Sequence, residues 1–197
     1  LKDWVRVSCG GLCRIYDPER ERYLLGLNQN QLKKQNRVLT PLGGVLHYFN
    51  DLPFTHRHEE NTSSHDLRLF VPHADIDTFQ AWFRSRQGRE VDPFRELHEE
   101  LVDEYQVLTH LDRTDVRAKH IRTVQSERFS NRTGATGVLT YSYQEIYDIT
   151  FSAAESWERL RRVSPQTGLY WVTFEDIRRG NLTDQTVVNA RSIIQQT

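Results

Sequence analysis

The chain has 197 residues with 26 basic and 27 acidic side chains, a formal net charge of −1, which excludes a bulk polycation that holds nucleic acid by charge alone. At 37% apolar residues and this length, one packed core is expected without disulfide or metal support. No apolar run approaches the roughly 18 residues of a membrane span, and no N-terminal signal pattern is present.

Residues 4–27 predict two strands, WVRVSCGGLCRIY and YLLGLN, joined by the turn-like DPERER. Cys9 and Cys13 then lie about 13 Å apart on one strand face, beyond disulfide reach, and read as buried thiols. A zinc site completed by His56 and His58 is the weaker alternative, because the spacing matches no usual zinc pattern. After a polar loop, RVLTPLGGVLHYF carries a short strand ending in Pro41-Leu42-Gly43-Gly44, where paired glycines allow close backbone approach or a sharp turn. Residues 50–66 are the most loop-like stretch, and their histidines, His56, His58 and His65, read by default as solvated.

DLRLFVP follows as a strand, and residues 74–87 keep helical spacing through Ile76, Phe79, Trp82 and Phe83, with Asp75 as the expected cap and Gly88 as the stop. Asp92-Pro93 opens a second predicted helix running to about Gln106. Residues 117–129 and 137–151 are β-rich around the turn SNRTGATG, SAAESWERLRR reads as a helix, LYWVTF as a strand, and EDIRRG as a helical turn closed by glycine. TDQTVVNARSIIQQ predicts a terminal amphipathic helix with Val187, Ala190 and Ile194 on one side. The order of elements implies a one-domain α/β sandwich. With Leu1 first and no methionine, the chain reads as an excised domain of a longer protein. Three sequons, at Asn61, Asn131 and Asn181, lack a secretion signal, so a reducing cytosol is the default.

The helix at 92–108 carries the chemistry. At 3.6 residues per turn Phe94, Leu97, Leu101, Tyr105 and Leu108 form one stripe roughly 80° wide, and Glu96, Glu99 and Glu100 fall opposite. Residues 90–104 hold seven acids and one arginine, a crowding that solvent or a cation must relieve. An amphipathic helix with a glutamate-rich wet face is common and by itself implies no more than that. The order Arg95-Glu96-Leu97-His98-Glu99-Glu100, however, resembles the heart of the Nudix box.

That resemblance extends upstream to Pro41-Leu42-Gly43-Gly44 and downstream to Trp171-Val172-Thr173-Phe174-Glu175-Asp176-Ile177, which looks like the family's late strand-to-helix step. It implies a Nudix-type α/β/α sandwich with a central mixed sheet over 1–197 and an insertion at 50–90. It also implies Mg2+ or Mn2+ on Glu96, Glu99 and Glu100, Arg95 orienting a glutamate by an ion pair, and Gly43 and Gly44 near the phosphates. The box departs from the family pattern where its glycine falls at Val102 and its upstream glutamate at Gln87. The Gly-Gly strand, DLRLFVP and the helix ending AWFRSRQGREVDPFRELHEEL are most similar to the SMODS-associated Nudix domains of bacterial cyclic-oligonucleotide antiphage (CBASS) effectors. Some of these are joined to membrane-spanning helices, which implies a membrane-anchored protein with this domain on the cytoplasmic face.

Two functions follow from the resemblance. In the first, the domain is a sensor that binds a cyclic oligonucleotide and leaves it intact; the metal is then dispensable. The basic stretch 111–132 offers Arg117, Arg122 and Arg128 for phosphates, with Tyr141 or Tyr143 to stack a base. In the second, the domain is a metal-dependent nucleotide hydrolase, whose further acid would come from Glu145 or Asp148. The lost glycine and the lost upstream glutamate favour the sensor, and the retained glutamates favour the hydrolase. Neither requires polymeric nucleic acid, and a homo-oligomer is compatible with both.

Overall fold

The computed structural model describes residues 3–195. In chain order the strands are β1 (Trp4–Arg14), β2 (Tyr16–Asp17), β3 (Arg22–Leu27), β4 (Val38–Thr40), β5 (Gly43–Val45), β6 (Arg57–His58), β7 (Arg68–Pro72), β8 (Val116–Phe129), β9 (Leu139–Phe151), β10 (Leu169–Thr173) and β11 (Val187–Val188). The helices are α1 (Gln29–Leu32), α2 (Ile76–Ser85), α3 (Phe94–His98), α4 (Ala154–Arg161), α5 (Phe174–Arg179) and α6 (Arg191–Ile194). The α/β class is as expected, but the strands divide between two sheets, ordered β6-β7-β1-β9-β8 with β5 on β1, and β10-β3-β4-β11 with β2 on β3. The second sheet is mixed, since β11 runs parallel to β4 while β3 pairs antiparallel with β4 and β10. Among the described residues no helix is long and apolar enough to cross a membrane.

The chain divides into two compact units, each with its own buried cluster. The first comprises the stretch up to Gly11 with Gly44–Asp92 and Arg122–Glu145. There β7 alternates buried and half-buried residues and pairs in register with β1, Val7 opposite Leu69 and Val5 opposite Val71. Leu69, Val71, Cys9 and Leu46 share a cluster with Phe79 and Phe83, the apolar face of α2. Each such fully buried side chain contributes ~1.5–3 kcal/mol. α2 ends at Ser85, before Gly88, because Arg86 takes the left-handed conformation at φ 58° and donates its N–H to the Phe83 carbonyl. Asp75 makes no side-chain cap; its carboxylate accepts from the Thr55 amide at 3.2 Å.

The second unit comprises Leu12–Gly43, Pro93–Ile121 and the chain from Ile146 onward. Its core gathers Cys13, Ile15, Leu24, Leu42, Leu97, Leu101, Tyr147, Leu160 and Leu169. The late strand-to-helix step is a capping box: Thr173 Oγ1 accepts from the Asp176 amide at 3.1 Å, and Asp176 Oδ2 accepts from the Thr173 amide at 2.9 Å. Gly180 closes α5 as expected. The predicted terminal helix is corrected. Val187 and Val188, β-branched and suited to a pleated surface, pair with Val38 and Leu39, so among the described residues of this stretch helix remains at Arg191–Ile194.

Tyr105 closes this core from the far end of the carboxylate segment, its hydroxyl donating to the Leu27 carbonyl at 2.9 Å. A Cβ added at Gly26 would lie 2.3 Å from that hydroxyl oxygen. Gly26→Ala is therefore expected to destabilise the protein by about 1–3 kcal/mol through overpacking. Denaturant midpoints of Gly26→Ala, Tyr105→Leu and the double variant check this: the double should lose less than the sum. Strict additivity would show that the two side chains do not compete for this space.

Candidate functional site

The segment expected to be one helix from Asp92 begins at Phe94 and leaves α geometry after His98, continuing as a π-helix over Glu99–Glu104. The Tyr105 amide donates five residues back, to the Glu100 carbonyl at 2.8 Å. Such wide turns are rare and occur frequently at functional sites. Leu97 and Leu101 are fully buried, as the stripe requires, while Phe94 is half-buried beneath the Arg113 guanidinium, 4.6 Å from its ring centroid.

Arg95 stands where the box puts it. Its Nη1 donates to Glu96 Oε1 at 2.8 Å and to Glu99 Oε1 at 3.3 Å. Glu100 departs from the wet face: it turns inward and accepts the Gly43 amide at 2.7 Å. Gly43 has φ 120°, a conformation that strains any side chain. The expected backbone approach of the Gly-Gly strand is thus made to a glutamate of the box. Gly44 is half-buried in β5, where its carbonyl would meet a Cβ on Gly10 at 3.1 Å. Burial pushes the Glu100 carboxyl up to about 9, against the pull of the Gly43 amide and with added repulsion from Glu96, Glu104 and Glu99. Glu104 is raised for the same reasons, burial first and then Glu96.

As a donor set, Glu96, Glu99 and Glu100 fit a hard divalent cation: oxygen ligands whose mutual repulsion raises the Glu100 carboxyl. They do not converge as they stand. Among the described residues the one group of three His or acidic side chains with ligand atoms within 4.8 Å of each other is His110, Asp112 and Asp115, mostly exposed.

Both acids nominated to assist are held by arginines. Glu145, 2% exposed, takes Arg89 Nη1 and Nη2 at 2.9 and 3.0 Å and Arg86 Nη1 at 2.6 Å. Asp148 is gripped by Arg14 through Nε and, at 2.7 Å, through Nη2. Arg117 and Arg128 are exposed on β8 and Arg122 is half-buried. Arg122 and Arg128 lie six residues apart on an extended strand, about 20 Å, so they cannot share one phosphate. Tyr141 is half-buried against the first unit's cluster. Tyr143 is corrected to a core residue: it is 3% exposed, lies against Phe79 and Phe83, and accepts from Gln80 Nε2 at 2.9 Å. Its face is closed to a base.

Cys9 and Cys13 are the buried thiols that the sequence leads one to expect. Both thiols are buried and neither is in a disulfide, and burial pushes Cys9 far above its ordinary range. His56 and His58 instead join Tyr48, whose hydroxyl lies 3.1 Å from His58 Nε2. The Arg89–Glu145 network is what sequence reasoning missed; the available signal was Glu145 directly before the apolar Ile146-Tyr147 in the β-rich stretch YSYQEIYDI.

Compared with known proteins, the chain matches no curated protein. The model of one family, the SMODS-associated NUDIX domain, matches residues 4–197. The match runs over nearly the whole chain, and the chain belongs to the SMODS-associated NUDIX domain family.

Proposed function

We propose that this domain is a sensor: it binds a cyclic oligonucleotide and leaves it uncut. The observation that carries this reading is the fate of Glu100. The box helix opens into a π turn, and Glu100 is drawn inward onto the Gly43 amide, away from Glu96 and Glu99, where desolvation pushes its carboxyl up to about 9. The other two glutamates of the box, Glu96 and Glu99, are both paired to Arg95. Family membership agrees, since SMODS-associated domains accompany cyclic-oligonucleotide signalling. Arg122, Arg128 and Tyr141 are the residues of the first unit with which phosphates and a base would engage.

A second reading, nucleotide hydrolysis, has one observation in its favour: Arg95 is paired to Glu96, the ion pair with one glutamate that the resemblance to the box implies. There Glu96, Glu99 and Glu100 would hold Mg2+ or Mn2+, which supplies Lewis-acid polarisation of a phosphoryl oxygen. The chain's own part is to deprotonate Glu100 and to free Glu99 from Arg95.

One experiment separates the two readings. Cyclic di- and trinucleotides are screened for thermal stabilisation, and the stabilising ligand is then incubated with Mg2+ or Mn2+ and chromatographed. A ligand at a hundred times its dissociation constant adds about 2.7 kcal/mol, and it is expected to return intact. Linear or mononucleotide products at catalytic rates would overturn the sensor and favour the hydrolase.

A further inference from the structure

The second unit holds a cleft of about 670 Å3 beside the parallel pair β4–β11, lined by side chains that include Arg179, Arg191, Asn189, Thr40, Gln31 and Asn28 and by no carboxylate. Its size lies within the roughly 300–1,000 Å3 of ligand sites. None of the three box glutamates lines it.

The lining is rich in donors that the fold leaves unused. Arg191 gives Nη2 to the Arg178 carbonyl at 2.9 Å, which orients its guanidinium over Gly180. Arg179 gives Nε to Asn181 at 3.0 Å and Nη2 to Asp176 Oδ1 at 2.8 Å. The remaining N–H groups of both guanidiniums meet no acceptor among the described residues. Asn28 Oδ1 accepts from the Gln31 amide and Gln31 Oε1 from Asn36, so both amide NH2 groups stay available. The side chains of Asn189 and Thr40 make no hydrogen bond among the described residues. Glu175 is engaged by Arg178 and Asp184 by the Thr186 amide, while Asp176 takes the Thr173 amide and Arg179 Nη2, which leaves the Nη1 of Arg179 for a ligand. Val38, Val187 and Val188 give one wall an apolar surface, and Val187 is 48% exposed.

Two fixed guanidiniums and four neutral donors exceed what a carboxylate can use, since it is a monoanion with about four acceptor sites. A phosphomonoester carries about −1.5 to −2 charges and three strong acceptor oxygens, and guanidinium forks suit it. We propose that this cleft binds a small phosphomonoester, with Arg179 and Arg191 on the phosphate, the amides and Thr40 on its remaining oxygens, and an apolar substituent against the valines. The site is independent of the cyclic-oligonucleotide reading, whose ligand carries only diester phosphates.

Calorimetric titration of the whole domain in chelator, with phenyl phosphate, inorganic phosphate and benzoate as probes, tests it. Phenyl phosphate is expected to bind at least tenfold more tightly than benzoate. Arg191→Gln should weaken it tenfold or more, the loss of one charged contact. Because Arg191 also holds the Arg178 carbonyl, Asn189→Asp is the safer variant: Asn189 is exposed, and a carboxylate there repels the ligand without touching a core contact. It too should weaken binding at least tenfold, while Glu99→Gln/Glu100→Gln should bind like the wild type. Inorganic phosphate binding as tightly as the ester would uphold the anion site and assign it to free phosphate. Benzoate binding equally well, wild-type affinity in Asn189→Asp, or loss of binding in the glutamate variant would each overturn the proposal.

Discussion

Glu145→Ala is expected to lower stability by about 3–5 kcal/mol, the cost of leaving a buried charge without its partner. The Arg89 side chain is fully buried, and beyond its two bonds to Glu145 it donates to the Phe83 carbonyl at 3.0 and 2.6 Å and lies over the Phe83 ring. Those bonds fix the guanidinium in place, so it cannot swing out to water when Glu145 is removed. For a domain of this size the loss corresponds to a fall of roughly 10 °C in melting temperature. Glu145→Gln keeps the shape but not the charge and should fall between the variant and the wild type. Arg89→Met/Glu145→Leu, which removes both charges, should recover much of the loss. Thermal unfolding of the four proteins checks the series. If Glu145→Ala melts with the wild type, the network does not hold the end of α2 to β9.

Glu100→Gln is expected to stabilise the metal-free domain at pH 8 and to leave it nearly unchanged at pH 5. In the unfolded chain the carboxyl ionises near 4.5, and in the folded protein burial delays this to about 9. A raised carboxyl favours the folded state fully below pH 4.5, and the advantage drains away as pH rises toward 9, because only the unfolded chain can then release the proton freely. Glutamine keeps an oxygen for the Gly43 amide and never ionises, so its advantage grows through that window. At pH 8 a gain of about 1 kcal/mol or more, a few degrees, should be readable. Melting curves from pH 5 to 8 decide the matter, and parallel profiles for the two proteins would show that Glu100 is not held protonated. Added Mg2+ at pH 8 should stabilise the wild type more than the variant if a cation engages the ionised carboxylate.

These two residues also mark where reading the chain by local pattern stops. Periodicity placed Glu100 with Glu96 and Glu99 on the wet face, and a uniform helix would keep it there. The Gly43 amide that turns it inward lies 57 residues away, and no local pattern registers a bond of that span. Glu145 looked available for catalysis for the same reason, since its guanidinium partner lies 56 residues distant. Tyr143 alternates with Tyr141 along β9 as a stacking residue would, but which face of a strand is covered depends on what packs there, and here that is α2.

By itself the sequence determined what short-range physics controls. It determined the apolar stripe that buries Leu97 and Leu101, the strand-to-helix step at Thr173, the glycine stop of α5, and the glycine pair where the chain makes a close backbone approach. Each of these rests on spacing within about a turn or on one residue's conformational freedom. The division of the strands into two sheets, the strand in place of a terminal helix at Val187–Val188, the arginine clamp on Glu145 and the inward turn of Glu100 were decided only by the tertiary structure. Each depends on a partner brought from far along the chain, and the energy that selects it, from burial and from satisfying buried charge, exists only once the two segments meet.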